Sequence, residues 1–343
     1  MISVAVAIVA FSIAFRLLPG LGISAALLAV SAIIPQAYSV LSGAILRGNG
    51  RLASGTFAEL GSMPALAVAI LLTKAMLSEL SLTDAIIALS VSSWLTAAWA
   101  IPAAIRSVRI VSTEATAGAS SQSIHDFLKR YLGRMIAMMG TSLLFYFLTW
   151  APLFVLFLTS SPDDVAFFTV AARLAAFIGL VSTIQVSYLA PAFARLYHRS
   201  ELQVLNDLCN RSAWQAGIAA VVPTVVFVVA SQPLLELLYG AGFSNAAVPL
   251  VLLTIAAFLN VVIGQVNQLM LLCELERTAL ILNLVWLAAW LAAGLWLSSL
   301  GGVVAASGFA LVSGVLYSVL AARQLAKSRG VYSFLRKMPP LMG

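Results

Sequence analysis

The sequence predicts an all-α polytopic membrane protein with about ten transmembrane helices in two lobes, four plus six. Three observations predict it. Of 343 residues, 62% are hydrophobic and only 9% charged, whereas a soluble domain is roughly 45–50% apolar and about 25% charged. The few charges leave uncharged windows such as residues 17–46, 135–162, 237–273 and 278–322, each longer than the roughly 20 residues that cross a bilayer core as a helix. One longer polar stretch, residues 106–125, interrupts the spans unevenly with Ser, Thr, Gly and Gln between basic ends.

Breaks at Pro, Gly and charged residues place the spans at about 1–18, 23–46, 57–77, 82–105, 133–158, 165–190, 206–232, 245–271, 277–300 and 302–322. The first has no basic segment before it and no small-residue cleavage site after it, so it reads as a span and not a signal peptide. The second ends at the turn Arg47-Gly48-Asn49-Gly50-Arg51. In the third, Glu59 and Lys74 sit near the two ends, where long side chains reach the headgroups. The fourth closes near Pro102 and Arg106, and the fifth opens after Arg134. Ser161-Pro162-Asp163-Asp164 reads as the start of the sixth: Ser as N-cap, Pro in the first turn, carboxylates over the free amides. The seventh ends in apolar residues before Leu235, and the eighth carries a run of amides. Gly301-Gly302 divides the uncharged stretch 278–322, too long for one pass, into the ninth and tenth. Pro35, Pro64, Pro102, Pro152 and Pro223 fall in or near span interiors, where they kink helices.

Placing the N-terminus in the cytoplasm puts every basic residue except Arg16, Lys74 and Arg173 on the inner side. Positive-inside bias therefore predicts N-in, C-in topology. The domains expected are an incomplete N-lobe of four spans at 1–105, a cytoplasmic linker at 106–125, a C-lobe of six spans at 126–325 and a basic cytoplasmic tail at 326–343.

The same residues exclude several function classes. The net charge of +7 comes from cations scattered singly between spans, so nucleic acid is not an expected partner. Cys209 and Cys273 lack CxxC spacing and read as packing residues; His125 and His198 are isolated, and no metal site is expected. Gly48, Gly50 and Gly55 follow no strand and the chain has no Gly-Lys pair, so no nucleotide site is encoded. No cofactor and no catalytic residues are expected. An external Asp163–Asp164 metal pair in a glycosyltransferase acting on a polyprenyl carrier is the enzyme alternative.

Four motifs carry a family resemblance. They are Leu46-Arg47-Gly48 with Gly50-Arg51, the run Phe167-Phe168-Thr169-Val170-Ala171-Ala172-Arg173-Leu174 after Asp164, the exit Pro191-x-Phe193-Ala194-Arg195-Leu196, and Leu238-Tyr239-Gly240-Ala241-Gly242-Phe243-Ser244-Asn245-Ala246. In these the chain resembles the multidrug/oligosaccharidyl-lipid/polysaccharide exporter superfamily, in particular its O-antigen and exopolysaccharide (Wzx-like) flippase branch. The resemblance implies a MATE-like fold truncated at the N-terminus, with spans one to four matching the family's third to sixth helices. It implies transport of an undecaprenyl-diphosphate-linked oligosaccharide from the inner to the outer leaflet of a bacterial inner membrane by alternating access between the lobes. Polysaccharide polymerase and glycosyltransferases are the implied protein partners. An ion-coupled multidrug exporter of the same superfamily is the alternative, although it calls for an intramembrane carboxylate and Glu59, Asp84 and Glu236 all lie near span ends.

The candidate substrate-binding residues are Arg173, Thr183, Ser187, Asn260, Gln265, Asn267 and Gln268. Arg173 lies inside a span, where a charge is costly unless paired or facing water. Spacing places Ala176, Leu180, Thr183 and Ser187 on its face as a partly polar stripe. The resemblance makes Arg173 a diphosphate contact; the competing reading is an arginine reaching outward to headgroups or to Asp163 and Asp164. In span eight, Asn260, Gly264 and Asn267 follow i, i+4, i+7 spacing with Gln265 and Gln268 beside them. Such amides contact sugar hydroxyls in a cavity or join helices to one another.

Overall fold

The computed structural model describes residues 23–115 and 124–333, and the first expected span, 1–18, lies outside them. The described chain is helical throughout and divides into two compact units at Ser121/Gln122.

In the first unit, α1 (Ile23–Ser31) and α2 (Ile33–Gly48) together make the second expected span. They part at Ala32 because Pro35 has no N–H to give the carbonyl of Ser31 and its ring crowds that oxygen. The chain turns at Gly50, whose φ of +81° suits glycine, with Arg51 N donating to Leu46 O at 2.9 Å. It returns through α3 (Leu52–Thr56), a π turn (Phe57–Gly61) and α4 (Ser62–Ala75). The two arms approach closely: a Cβ on Gly55 would lie 2.6 Å from the carbonyl oxygen of Gly43. Arg47 and Glu59 form an ion pair across this contact, so Glu59 is held by a partner within the protein. The third span consequently runs Leu52–Ala75 in place of 57–77. Lys74 Nζ lies 3.6 Å from Asp84 Oδ1 at the start of α5 (Leu82–Ala115), where Ser81 and Asp84 cap one another.

α5 packs on α2 along a stripe of small residues that includes Ala97, Ala100 and Ala104, the composition that lets membrane helices approach. It continues to Ala115, and α6 (Ile124–Thr159) begins nine residues later. Helix therefore occupies much of the stretch read as a linker: Ser and Thr within it do not stop a helix that has no Pro after Pro102.

The second unit contains α6, α7 (Pro162–His198), α8 (Leu202–Val229), the short α9 (Ser231–Tyr239), a 3-10 turn (Ala241–Ala246), α10 (Ala247–Ile263), α11 (Val266–Leu272), α12 (Glu276–Ala289), a π turn (Trp290–Gly294) and α13 (Leu295–Arg329). The start of α7 forms as its sequence predicts, with Ser161 Oγ accepting from Asp164 N at 3.2 Å. Its end does not: the helix passes through Pro191 to His198, burying Phe193 beneath it.

α13 is broken at Gly301 (φ −134°) and Gly302 (φ +52°). The hydrophobic stretch Glu276–Arg329 spans 54 residues, about 80 Å as a straight helix against a core of about 30 Å, and the glycine break divides it into two passes. The eight long apolar stretches thus make nine passes among the described residues. Residues such as Phe147, Phe154 and Phe157 point outward, an apolar exterior suited to lipid and not to water.

The expected tail, 326–343, starts as part of the second unit. α13 runs on to Arg329, Gly330 turns with φ +65°, and Val331 is fully buried with Leu205, Cys209, Met270, Cys273 and Leu325. Asn206 holds the segment at both edges, donating to Gly330 O at 3.0 Å and accepting from Tyr332 N at 2.9 Å. Val331 ends up inside because its neighbours close over it, and basic composition alone does not register that.

Candidate functional site

The expected eighth span is two helices. α10 ends at Ile263 because Gly264 adopts φ 90°, ψ −169°, a conformation open to glycine and strained for any other residue. α11 begins two residues later at Val266. Asn260, Gly264 and Asn267 therefore do not share the face of one continuous helix; they surround a break. The carbonyl oxygen of Ser333 would sit only 2.3 Å from a Cβ on Gly264, so the chain following α13 passes directly against this break.

Around the break, residues of the second unit line an open cavity of about 520 Å³. α6 contributes Phe145, Thr149 and Pro152; α7 contributes Ala172, Ala176, Ser182 and Thr183. The break contributes Asn260, Gly264, Gln265, Asn267 and Gln268, and α12, the π turn and α13 contribute Trp286, Trp290, Gly314, Tyr317 and Ser318. Five of the seven candidate residues thus line one space: Thr183, Asn260, Gln265, Asn267 and Gln268. The side chain of Ser187 lies outside the described residues.

Arg173 does not line the cavity. It is exposed on the face of α7 that carries Phe177, Leu180 and Ile184. The stripe drawn from Arg173 through Ala176 to Thr183 divides here, with Ala176 and Thr183 turned inward and Arg173 and Leu180 outward. At about 100° per residue the ten steps from Arg173 to Thr183 end some 80° from the start, enough to carry a residue from one side of a helix to another. Among the described residues Arg173 has no ion-pair partner, and neither Asp163 nor Asp164 forms a salt bridge there. Asp164 lies instead at the break of α13, with Oδ2 3.1 Å from where a Gly302 Cβ would be.

The polar groups of the cavity are partly engaged with each other. Ser318 Oγ donates to Asn260 Oδ1 at 2.6 Å, and the Tyr317 hydroxyl donates to Asn267 Oδ1 at 3.4 Å. The rings of Trp286 and Tyr317 stack at 4.6 Å with an interplanar angle of 20°, while Trp290 meets Phe309 edge-on at 4.8 Å. Sequence reasoning missed Trp286, Trp290 and Tyr317, because an aromatic residue in an uncharged run reads equally as lipid-facing. The i, i+4 spacing of the two tryptophans was the available signal.

No lining residue among those described carries a formal charge. No cluster of three or more metal-ligating side chains occurs among the described residues. Cys209 and Cys273 are buried together as packing residues, and burial pushes the Cys273 thiol up to about 11, partly opposed by Arg329. What the described lining offers is therefore hydrogen bonding and aromatic surface.

No protein-family model matches the sequence, and no curated protein matches it. Solved structures do. A variant of the Vibrio cholerae MATE transporter VcmN superimposes over 95% of this chain and 76% of its own, with TM-score 0.73 at 18% identity. The fold is that of a MATE transporter. The same transporter in its bent form gives TM-score 0.68 at 18% identity, covering 96% of this chain and 77% of its own. A MATE transporter in a straight conformation gives 0.53 at 14% identity, over 95% and 78%. In this MATE fold the cavity lies wholly within the second unit, residues 122–343.

Proposed function

We propose that this protein is a membrane exporter working by alternating access, and that its cargo is a lipid-linked oligosaccharide. In this reading it moves an undecaprenyl-diphosphate-linked sugar repeat from the inner to the outer leaflet of a bacterial inner membrane, for cell-surface polysaccharide assembly. The observation that carries the cargo is the chemistry of the cavity wall: four amides, hydroxyls and the indoles of Trp286 and Trp290, with no charged lining residue. A sugar offers hydroxyls to amides and an apolar ring face to aromatics, and needs no counter-charge. An organic cation leaving water for the same cavity would lose its hydration with no carboxylate to offset it. Arg173, on the exposed face of α7, is then the candidate contact for the diphosphate, which stays outside the cavity while the polyprenyl chain remains in lipid.

The second reading, an ion-coupled multidrug exporter, is favoured by the likeness to MATE transporters and by the apolar part of the wall. One reconstitution separates the two. Proteoliposomes loaded with a fluorescent polyprenyl-diphosphate oligosaccharide are tested for protein-dependent exposure of inner-leaflet sugar to an added glycosidase, and in parallel for gradient-driven accumulation of a cationic dye. Sugar exposure without dye movement supports the flippase; dye movement alone overturns it.

A further inference from the structure

One end of the cavity stops at a closed plug of side chains built around α11. That helix lines the cavity with Asn267 and Gln268 and buries Leu269 and Met270 in the plug, while Val266 belongs to both. Phe193 of α7, Leu205 and Cys209 of α8, Leu325 of α13 and Val331 beyond it complete the plug, each at most 3% exposed. The helix ends around it carry Arg195, Arg199, Arg277, Arg323, Lys327 and Arg329, so positive-inside bias puts this end on the cytoplasmic side.

α11 lies between two backbone positions able to act as hinges. Gly264 before it has φ 90°, ψ −169°, and Glu274 just after it is left-handed, with φ +60°. Hinges are commonly such single positions at the ends of an element. Both are held by the chain leaving α13. Arg329 Nη2 donates to the carbonyl oxygen of Glu274 at 3.2 Å, and the carbonyl oxygen of Ser333 lies against Gly264. Between these two contacts Val331 is buried in the plug, and Asn206 fixes the segment to α8 by donating to Gly330 O and accepting from Tyr332 N. α8 contributes no described lining residue, so the strap ties a wall of the cavity to a helix outside it. The docking is incomplete at one point. Ser333 Oγ is buried without a hydrogen-bond partner among the described residues, a cost that favours release.

We propose that α11 is an inner gate of the cavity and that residues 329–333 are its latch. Docked, the strap holds both hinge positions and keeps the plug closed toward the cytoplasm. When it lifts from Asn206, α11 turns about Gly264 and Glu274, the plug parts and the cavity opens on that side. Release gives up one buried valine and a few hydrogen bonds, a set small enough for local opening without unfolding of the unit. The gate serves any cargo and does not rest on the oligosaccharide reading.

The test needs no cargo. Cys209 and Cys273, the only cysteines of the chain, are both buried in the plug, and Gln268→Cys adds a reporter on the cavity wall. A membrane-impermeant maleimide is applied to the full chain in inverted vesicles, which present the cytoplasmic face, and in right-side-out vesicles, with the labelled positions resolved by peptide mass spectrometry. With the latch intact, Cys273 and the Gln268→Cys reporter should react slowly from the cytoplasmic face. Asn206→Ala removes both strap hydrogen bonds while favouring α8, and should raise the two rates about tenfold, the effect of one or two hydrogen bonds on a local opening. Val331→Thr keeps the shape but buries a hydroxyl in the plug, and should act in the same direction. Outer-face labelling of Ala172→Cys, on the cavity wall nearer the start of α7, should stay unchanged in both variants. Unchanged cytoplasmic rates in both, or fast labelling of Cys273 with the latch intact, overturn the gate. A rise from both faces together reports general loosening of the unit and overturns it as well.

Discussion

Asn260 on α10 and Ser318 on α13 are joined by a 2.6 Å hydrogen bond across the wall of the cavity. The contact ties two helices together, and in the proposed function the rest of the amide is what a cargo in the cavity would meet. Interhelical hydrogen bonds inside membranes average only about 0.6 kcal/mol, so its effect on stability and its effect on transport separate.

Asn260→Ala is accordingly expected to lower stability by less than about 1 kcal/mol and, if the proposed function holds, to reduce sugar-lipid flipping at least fivefold. Thermal unfolding in detergent and the glycosidase-accessibility assay read the two quantities. A large loss of stability with normal flipping would assign Asn260 to packing alone.

Gly264 combines a φ of 90° with a carbonyl contact from Ser333. Gly264→Ala therefore meets both backbone strain and a backbone clash, an expected loss of about 2–3 kcal/mol. Displacement of the segment after α13 should accompany it, visible as new protease cleavage after Lys327 or Arg329. A variant as stable and as protected as wild type would show that the contact between Gly264 and Ser333 is not maintained.

Arg173 is exposed and has no ion-pair partner among the described residues, so Arg173→Ala should leave stability unchanged. If it meets diphosphate, flipping of the diphosphate-linked substrate falls about tenfold and Arg173→Lys recovers part of it, because lysine keeps the charge but not the bidentate geometry. Unaltered flipping by Arg173→Ala removes that role.

The Arg47–Glu59 pair is largely shielded, with 17% and 23% of the two side chains exposed. Glu59→Gln leaves the guanidinium without its counter-charge and should destabilise the first unit by about 2 kcal/mol. The double change Arg47→Met with Glu59→Leu should recover most of it, as replacement of a shielded pair by apolar side chains commonly does. A double variant less stable than Glu59→Gln alone would refute this.

The sequence by itself determined the features that depend on local composition. Uncharged length required membrane passes, Gly301-Gly302 required a break between two of them, and Ser161-Pro162-Asp163-Asp164 specified a helix start; all three stand in the structure. The amides of the eighth span were legible as a polar cluster, and Asn260, Gln265, Asn267 and Gln268 share one cavity. Only the tertiary structure decided which way side chains face. It turned Arg173 outward and Thr183 inward on one helix, stacked Trp286 on Tyr317 from segments 31 positions apart, and laid Ser333 against Gly264. The reason is physical. In water, periodic hydrophobicity marks the buried face of a helix, but in a bilayer the lipid-facing side is as apolar as the core, so the pattern that encodes orientation is erased and neighbouring helices alone supply it.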